Sequence, residues 1–99
     1  MIEITRTKGK ITITGHAGYA PAGQDIVCAA VSALTGTFIA SIEELTTDKL
    51  KAVTGQGNAI IEYRNLTERA TVLLDSFFVG LNMIAETYPD HVRIYTPKH

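Results

Sequence analysis

Hydrophobic and polar residues alternate in two short runs near the start of the chain, residues 2–4 and 11–13. This alternation places the apolar side chains on one face of a β-strand. The pair Lys8-Gly9 lies between the runs and favours a tight turn. The chain is therefore predicted to open with a β-hairpin.

A second hairpin and a last strand are predicted further along the chain. The segments Lys49 to Thr54 and Ala59 to Arg64 flank residues 55–58, in which two glycines suit turn positions. Near the end, apolar and polar residues alternate again from His91 to Tyr95, which is predicted to form the final strand.

Two longer segments carry apolar residues at spacings of three and four, the pattern of amphipathic helices. The first begins after Asp25, whose side chain suits the N-cap position, and should end near Thr46. Its apolar stripe consists of Val27, Val31, Leu34, Phe38, Ile42 and Leu45. The second is capped by Asn65 or Thr67 and stops at Tyr88-Pro89. Its apolar positions are Ala70, Leu73, Leu74, Phe77, Phe78, Leu81, Ile84 and Ala85.

The resulting element order is ββαββαβ. Two helices packed against one mixed or antiparallel sheet form a two-layer domain of the α+β class. Because the chain has only 99 residues, it is predicted to form one domain over residues 1–99.

Charged residues are scarce, at 19% of the chain, and Ile26 to Ile42 contains none. The first helix is therefore apolar or small on nearly all sides, although a two-layer domain covers only one of them. We expect a homodimer in which this helix, with or without the second, packs against its mate. Membrane insertion is not expected, because the run contains hydroxyl residues and is flanked by Asp25, Glu43 and Glu44 rather than by Lys or Arg.

The charge balance bears on partners and location. Nine basic and ten acidic residues give a formal net charge of −1, so no basic field favours nucleic acid. The single cysteine, Cys28, cannot form an internal disulfide, which favours a reducing compartment. The first ten residues lack the apolar core and cleavage site of a signal peptide. These features together predict a cytoplasmic protein.

Cys28 is the first candidate for chemistry, because it lies in the first turn of the first predicted helix. Unpaired backbone N–H groups and the helix dipole favour a thiolate there. His16 follows the second strand, and the loop between the two residues is long enough to fold back. If they meet, His16 serves as general base, Cys28 attacks a carbonyl, and the helix N–H groups hold the oxyanion. The chemistry would be acyl transfer, most simply peptide hydrolysis.

The same residues also admit structural roles. Cys28 stands among apolar residues and is consistent with a buried core position. Asp25 is favoured as a helix cap over an orienting partner for His16, because its charge would oppose a nearby thiolate. Ser32 lies one turn beyond Cys28 and either donates a hydrogen bond in the site or bonds back to the Cys28 carbonyl.

No metal or other cofactor is expected. His16, His91, His99 and Cys28 lack the close spacing of metal ligands. The glycines of residues 55–58 occupy a hairpin turn and lack the following helix that a phosphate-binding loop requires.

The segment Gly15 to Gln24 contains glycines and a proline and has no periodicity. It is therefore predicted to be a mobile loop. Tyr19 lies between hinge-forming residues, so it can cover a bound peptide.

The segments Gly15-His16-Ala17, Gly23 and Asp25 to Ser32, with Gly80 and Tyr88-Pro89 further on, resemble the ribosomal-processing cysteine proteases of bacteria. The resemblance covers essentially the whole chain. It implies a homodimeric endopeptidase that removes a short N-terminal extension from a large-subunit ribosomal protein. Cleavage would follow an extended stretch rich in hydrophobic and aromatic residues. His16 would be the base and Cys28 the nucleophile.

The resemblance also implies supporting roles for Gly15, Asp25 and Ser32 in shaping the site. It implies a flexible lid that becomes ordered on the substrate and consists of Ala17, Gly18, Tyr19, Ala20, Pro21, Ala22 and Gly23. We expect the substrate to bind in extended form, with main-chain hydrogen bonds for affinity and apolar pockets for specificity.

Two other functions remain open from the residues alone. One is a non-catalytic, ribosome-associated binding module in which Cys28 belongs to the core, although the charge balance argues against an RNA partner. The other is a thiol redox protein. It would need a resolving thiol from another chain, because the sequence has no second cysteine.

Overall fold

A computed structural model describes residues 1–21 and 23–96. A five-stranded sheet in the order β3-β4-β2-β1-β5 forms one layer. The elements are β1 (Ile2–Thr7), β2 (Lys10–Thr14), α1 (Ile26–Leu45), β3 (Lys51–Gly55), β4 (Asn58–Glu62), α2 (Glu68–Thr87) and β5 (Val92–Tyr95). The predicted α+β class and element order are confirmed, and the sheet is mixed.

Strand pairing follows from the two hairpins. β1 and β2 are antiparallel with Ile4 opposite Ile13, and β3 and β4 are antiparallel with Val53 opposite Ile60. β4 joins β2, also antiparallel. β5 runs parallel to β1 at the edge, since it returns from α2 rather than from a tight turn. The second hairpin and β5 are shorter than predicted, because pairing rather than alternation sets where a strand ends.

The core lies between the helices and one face of the sheet. Its strand residues are Ile2, Ile4, Ile11, Ile13, Ala59, Ile61 and Val92. The helices meet through Phe38 and Phe77, whose rings stack with centroids 4.8 Å apart. Gly80 permits this close approach, since a Cβ at that position would lie 2.9 Å from Cδ1 of Leu34. The packing explains why Gly80 belongs to the motif noted above.

The buried face of α1 is Val27, Val31, Thr35, Phe38 and Ile42. It differs from the predicted stripe at two positions. Leu45 is 55% exposed, and Thr35 is buried in place of the half-buried Leu34. Thr35 is tolerated there because its hydroxyl donates to the Val31 carbonyl at 2.7 Å.

Capping residues fix where both helices begin. Asp25 caps α1 as predicted, and Thr67, rather than Asn65, caps α2. Thr67 is held in turn by Asp48, which accepts hydrogen bonds from the Thr67 hydroxyl at 2.6 Å and its N–H at 2.8 Å. The start of α2 is thereby tied to the connection between α1 and β3.

Both helices are long and apolar enough in composition to cross a membrane. In this fold each instead buries one face in the core, as the central helices of globular domains do. Packing in the core therefore accounts for the uncharged residues on the buried side of α1. The opposite side of the helix borders a groove.

Candidate active site

A groove of about 1100 Å³ lies between α1 and the turn that joins β3 to β4. The α1 side contributes mainly small residues, which keep the groove open: Cys28, Ala29, Ser32, Gly36, Ile39, Ala40 and Glu43. The turn side contributes residues 54–59, and the loop after β2 closes one end. Cys28 and His16 both line this groove, as their predicted proximity requires.

His16 is held by backbone contacts on both sides. The preceding Gly15 donates its N–H to the Gly57 carbonyl at 2.9 Å, and the His16 carbonyl accepts from the Met1 nitrogen at 2.6 Å. Gly15 has a φ of +93°, and a Cβ there would collide with the Met1 carbonyl oxygen. This position accordingly requires glycine.

The His16 ring rests on the β3–β4 turn. A Cβ at Gly57 would lie only 2.7 Å from Nε2 of His16. Within the part of the chain that is described, no hydrogen bond joins His16 to Cys28. Hydrogen bonds between catalytic groups are often long without substrate, so this gap does not argue against the predicted pair.

Cys28 lies in the first turn of α1 and is half-buried. Its sulfur accepts a hydrogen bond from the backbone N–H of Ala17 at 3.2 Å. Ala17 itself is 2% exposed. The Cys28 sulfur thus has a fixed backbone donor that the sequence did not reveal.

Three of the α1 N–H groups that were expected to hold an oxyanion, those of Val27, Cys28 and Ala29, already have partners. Oδ1 of Asp25 accepts from the N–H groups of Val27 and Cys28, both at 3.0 Å, and the Asp25 carbonyl accepts from Ala29 at 3.0 Å. These contacts argue against the Val27 and Cys28 N–H groups as oxyanion donors. The good capping residue that starts the helix also consumes the donors of its first turn.

Asp25 also ties the loop to the helix. Its Oδ2 accepts from the N–H of Tyr19 at 3.0 Å and of Ala20 at 3.4 Å. Hydrogen bonds from Cys28, and then from Tyr19, Ala20 and Val27, lower the pKa of Asp25 below its ordinary value despite burial. The carboxylate is thus committed to backbone amides, and the described contacts give it no role in orienting His16.

The predicted lid is anchored over its first residues. The Tyr19 ring packs edge-on against Tyr88 and His91, with centroids 5.5 and 5.4 Å apart. Gly18 and Gly23 have φ of +70° and +84°, and no heavy atom lies within 4 Å of where a Cβ would be. Gln24 donates its N–H to the Pro21 carbonyl at 2.9 Å. Ala22 lies outside the described residues.

The remaining candidates are Ser32 and the residues considered as metal ligands. Ser32 is exposed on its wall. No group of three or more His, Cys, Asp or Glu side chains able to hold a metal ion occurs in residues 1–21 and 23–96. His99 lies outside these ranges.

Two neighbours of the site were missed from the sequence. Gly57 was assigned only a turn role, although it supports the His16 ring. His91 was considered only as a metal ligand, yet its Nδ1 lies 2.9 Å from the Ala17 carbonyl oxygen. No local pattern signals either contact, since each joins distant parts of the chain.

Comparison with known proteins shows which family this sequence resembles. Residues 1–93 match the sequence profile of the family described as cysteine protease Prp. The ribosomal processing cysteine protease Prp of Mycoplasma pneumoniae is 56% identical over 97 residues, which cover 93% of this chain and 91% of that protein. Its counterpart in Mycoplasma genitalium is 32% identical over 98 residues, with 95% and 94% covered.

Solved structures agree as well. The essential ribosomal processing protease Prp of Staphylococcus aureus, in complex with a covalently linked product peptide, superposes with a TM-score of 0.88 at 25% identity, covering 97% of both chains. The same protease with a substrate peptide gives a TM-score of 0.81 over the same coverage. With this fold and a sequence match over residues 1–93, the chain belongs to the cysteine protease Prp family.

Proposed function

We propose that the protein is a cysteine endopeptidase that removes the N-terminal extension of a large-subunit ribosomal protein during ribosome maturation. The observation that carries this proposal is the placement of Cys28 and His16 on one groove, with the Ala17 N–H directed at the Cys28 sulfur. Relatives whose names give ribosomal processing support the substrate class.

The chemistry follows from the two side chains. His16 accepts the thiol proton while the Cys28 sulfur attacks the scissile carbonyl, forming a carbon–sulfur bond and an oxyanion. Collapse of this intermediate breaks the peptide bond, and His16 gives its proton to the departing amine. Water, deprotonated by His16, then hydrolyses the thioester and releases Cys28.

The groove suits an extended peptide. Its α1 wall is built from small side chains such as Ala29, Gly36 and Ala40, which leave room for bulky substrate residues. The opposite wall consists of residues 54–59 at the β3–β4 turn, along which an extended peptide would lie. This combination fits the hydrophobic and aromatic stretch expected before the cleavage site.

The lid would close over this peptide. Gly18 and Gly23 have positive φ and open space around them, so both suit hinge positions. Tyr19 lies between them and is 46% exposed; to cover the substrate, its ring would leave the contacts with Tyr88 and His91.

We also propose that the protein works as a cytoplasmic homodimer. The groove explains much of the small, uncharged surface of α1, which leaves the exposed apolar side chains of α2 to form the contact. Val72, Val79 and Met83 are 61%, 61% and 63% exposed and recur at helical spacing. Such a stripe can pair with its own copy across a two-fold axis.

The direct test is incubation with the precursor of the ribosomal protein, followed by mass spectrometry of the products. We expect loss of a short N-terminal peptide, no cleavage by Cys28→Ala or His16→Ala, and full cleavage by Lys8→Ala, an exposed position at the β1–β2 turn outside the groove. Cleavage by Cys28→Ala would overturn the mechanism. Alkylation of Cys28 at neutral pH, slowed in His16→Ala, separates a reactive thiol from a core cysteine.

A further inference from the structure

The peptide groups of Ala17 link the nucleophile to a distant part of the chain. The Ala17 N–H donates to the Cys28 sulfur at 3.2 Å. Its carbonyl oxygen lies 2.9 Å from Nδ1 of His91, 74 positions away in sequence. Because a carbonyl oxygen only accepts, Nδ1 must carry the proton. One residue is thus clamped between Cys28 and His91.

His91 is itself rigidly placed. Its N–H donates to the Tyr88 carbonyl at 2.9 Å, and its carbonyl accepts from Ile2 at 2.9 Å. Its ring is flanked edge-on by Tyr19 at 5.4 Å. These hydrogen bonds fix the His91 backbone between the end of α2 and β1. Its imidazole ring can therefore hold the loop in place through the Ala17 carbonyl.

The choice of oxyanion donor depends on which N–H groups are free. Asp25 and its carbonyl occupy the N–H groups of Val27, Cys28 and Ala29. The Ala17 N–H is different, because its partner is the reacting sulfur itself. When that sulfur bonds to a carbonyl carbon, negative charge moves from sulfur to the oxygen on that carbon, within reach of the same donor.

We propose that Ala17 N–H is the oxyanion donor and that His91 is the positioning residue that fixes it over Cys28. The proposal rests on Cys28 being the nucleophile. His91 does not touch substrate; it acts through the Ala17 carbonyl. Loss of the His91 donor lets the Ala17 peptide drift, which weakens stabilisation of the transition state more than binding of the substrate.

Two substitutions separate the hydrogen bond from the packing of the ring. His91→Phe keeps an aromatic ring against Tyr19 but removes the donor. His91→Asn loses the ring but places an amide N–H close to the position of Nδ1. We expect kcat to fall about tenfold or more in His91→Phe with KM nearly unchanged, since small misplacements of catalytic groups cost about this much. His91→Asn should recover most of kcat.

A second measurement does not depend on cleavage. Amide hydrogen exchange followed by NMR should show the Ala17 N–H protected in the wild type and in His91→Asn, and faster in His91→Phe, while the amide of Ile11 in the core stays unchanged. Equal kcat in His91→Phe and wild type, or equal losses in both variants, overturns the proposal. If neither the wild type nor any variant cuts the precursor, the proposed function fails. The exchange measurement still stands in that case, because an Ala17 amide that exchanges at the same rate in His91→Phe and wild type rejects the role of His91 in fixing Ala17.

Discussion

The Nε2 atom of His16 lies against Gly57 so closely that a Cβ there would be 2.7 Å away. Gly57 is the second residue of the two-residue β3–β4 turn and has a φ of +79°. One glycine thus meets two demands, the left-handed backbone of the turn and the close approach of the imidazole. The second hairpin is therefore part of the candidate site, because it forms the surface on which the His16 ring, the proposed general base, rests.

Gly57→Ala should displace His16 and lower kcat/KM by about tenfold or more, because a general base must stay within hydrogen-bonding reach of its proton. The matched control is Gly9→Ala, at the turn between β1 and β2. Gly9 has a similar φ of +83°, and its added Cβ would meet the Tyr63 carbonyl oxygen at 2.9 Å, away from the groove. Both variants should lose about 1–2 kcal/mol of stability for the left-handed backbone, but only Gly57→Ala should lose activity. Equal activities would show that Gly57 matters only to the turn.

Phe77→Ala should destabilise the protein by about 3–5 kcal/mol, the usual cost of removing a buried aromatic ring. The ring is 4% exposed and stacks on Phe38, so its loss opens a cavity between the two helices. Urea denaturation followed by circular dichroism measures the change. The neighbouring Ser76→Ala is exposed and should change stability by less than about 0.5 kcal/mol; a similar loss in both variants would contradict the assigned core.

Much of the fold is predictable from the sequence because its signals are local. Alternation, helical spacing, the Asp25 cap and the Tyr88-Pro89 stop each lie within a few residues of the element they define. Strand ends and sheet order do not follow in the same way. They depend on partners such as β5 beside β1, which are remote in sequence.

The candidate site likewise combines features that are local in sequence with contacts between distant segments. Cys28 was predicted from its place at a helix start and His16 from its chemistry, both local features, and the structure places both on one groove. The Ala17 N–H, the Gly57 surface and the His91 anchor arise only when distant segments meet. The Asp25 cap shows the difference: its bonds to the N–H groups of Val27 and Cys28 follow from its capping role, whereas its bonds to Tyr19 and Ala20 depend on how the loop folds back.

Met83→Glu tests the proposed homodimer. Sedimentation equilibrium of the wild type at micromolar concentration should give twice the mass of the 10.7 kDa chain. A charge placed in the centre of an apolar contact is costly, so Met83→Glu should sediment as a monomer. Because Met83 is 63% exposed, the monomer should remain folded. A monomeric wild type would reject the dimer, and a dimeric Met83→Glu would reject this surface.

Asp48→Asn should make stability less dependent on pH. Hydrogen bonds from the Thr67 side chain and backbone lower the pKa of Asp48 in the folded protein. A carboxylate with a lowered pKa stabilises the fold at any pH above its unfolded value of about 4, and this contribution disappears as the pH falls through the lower, folded value. Asp48→Asn should therefore melt below the wild type at pH 7, and the difference in Tm should shrink towards pH 3.

Asp75→Asn is the control, since the Asp75 side chain is 62% exposed and contacts only the surface residue Arg6, at 3.4 Å, in the described structure. Its difference from wild type should be small at both pH values, and a gap for Asp48→Asn that stays constant with pH would contradict the assigned role of its charge.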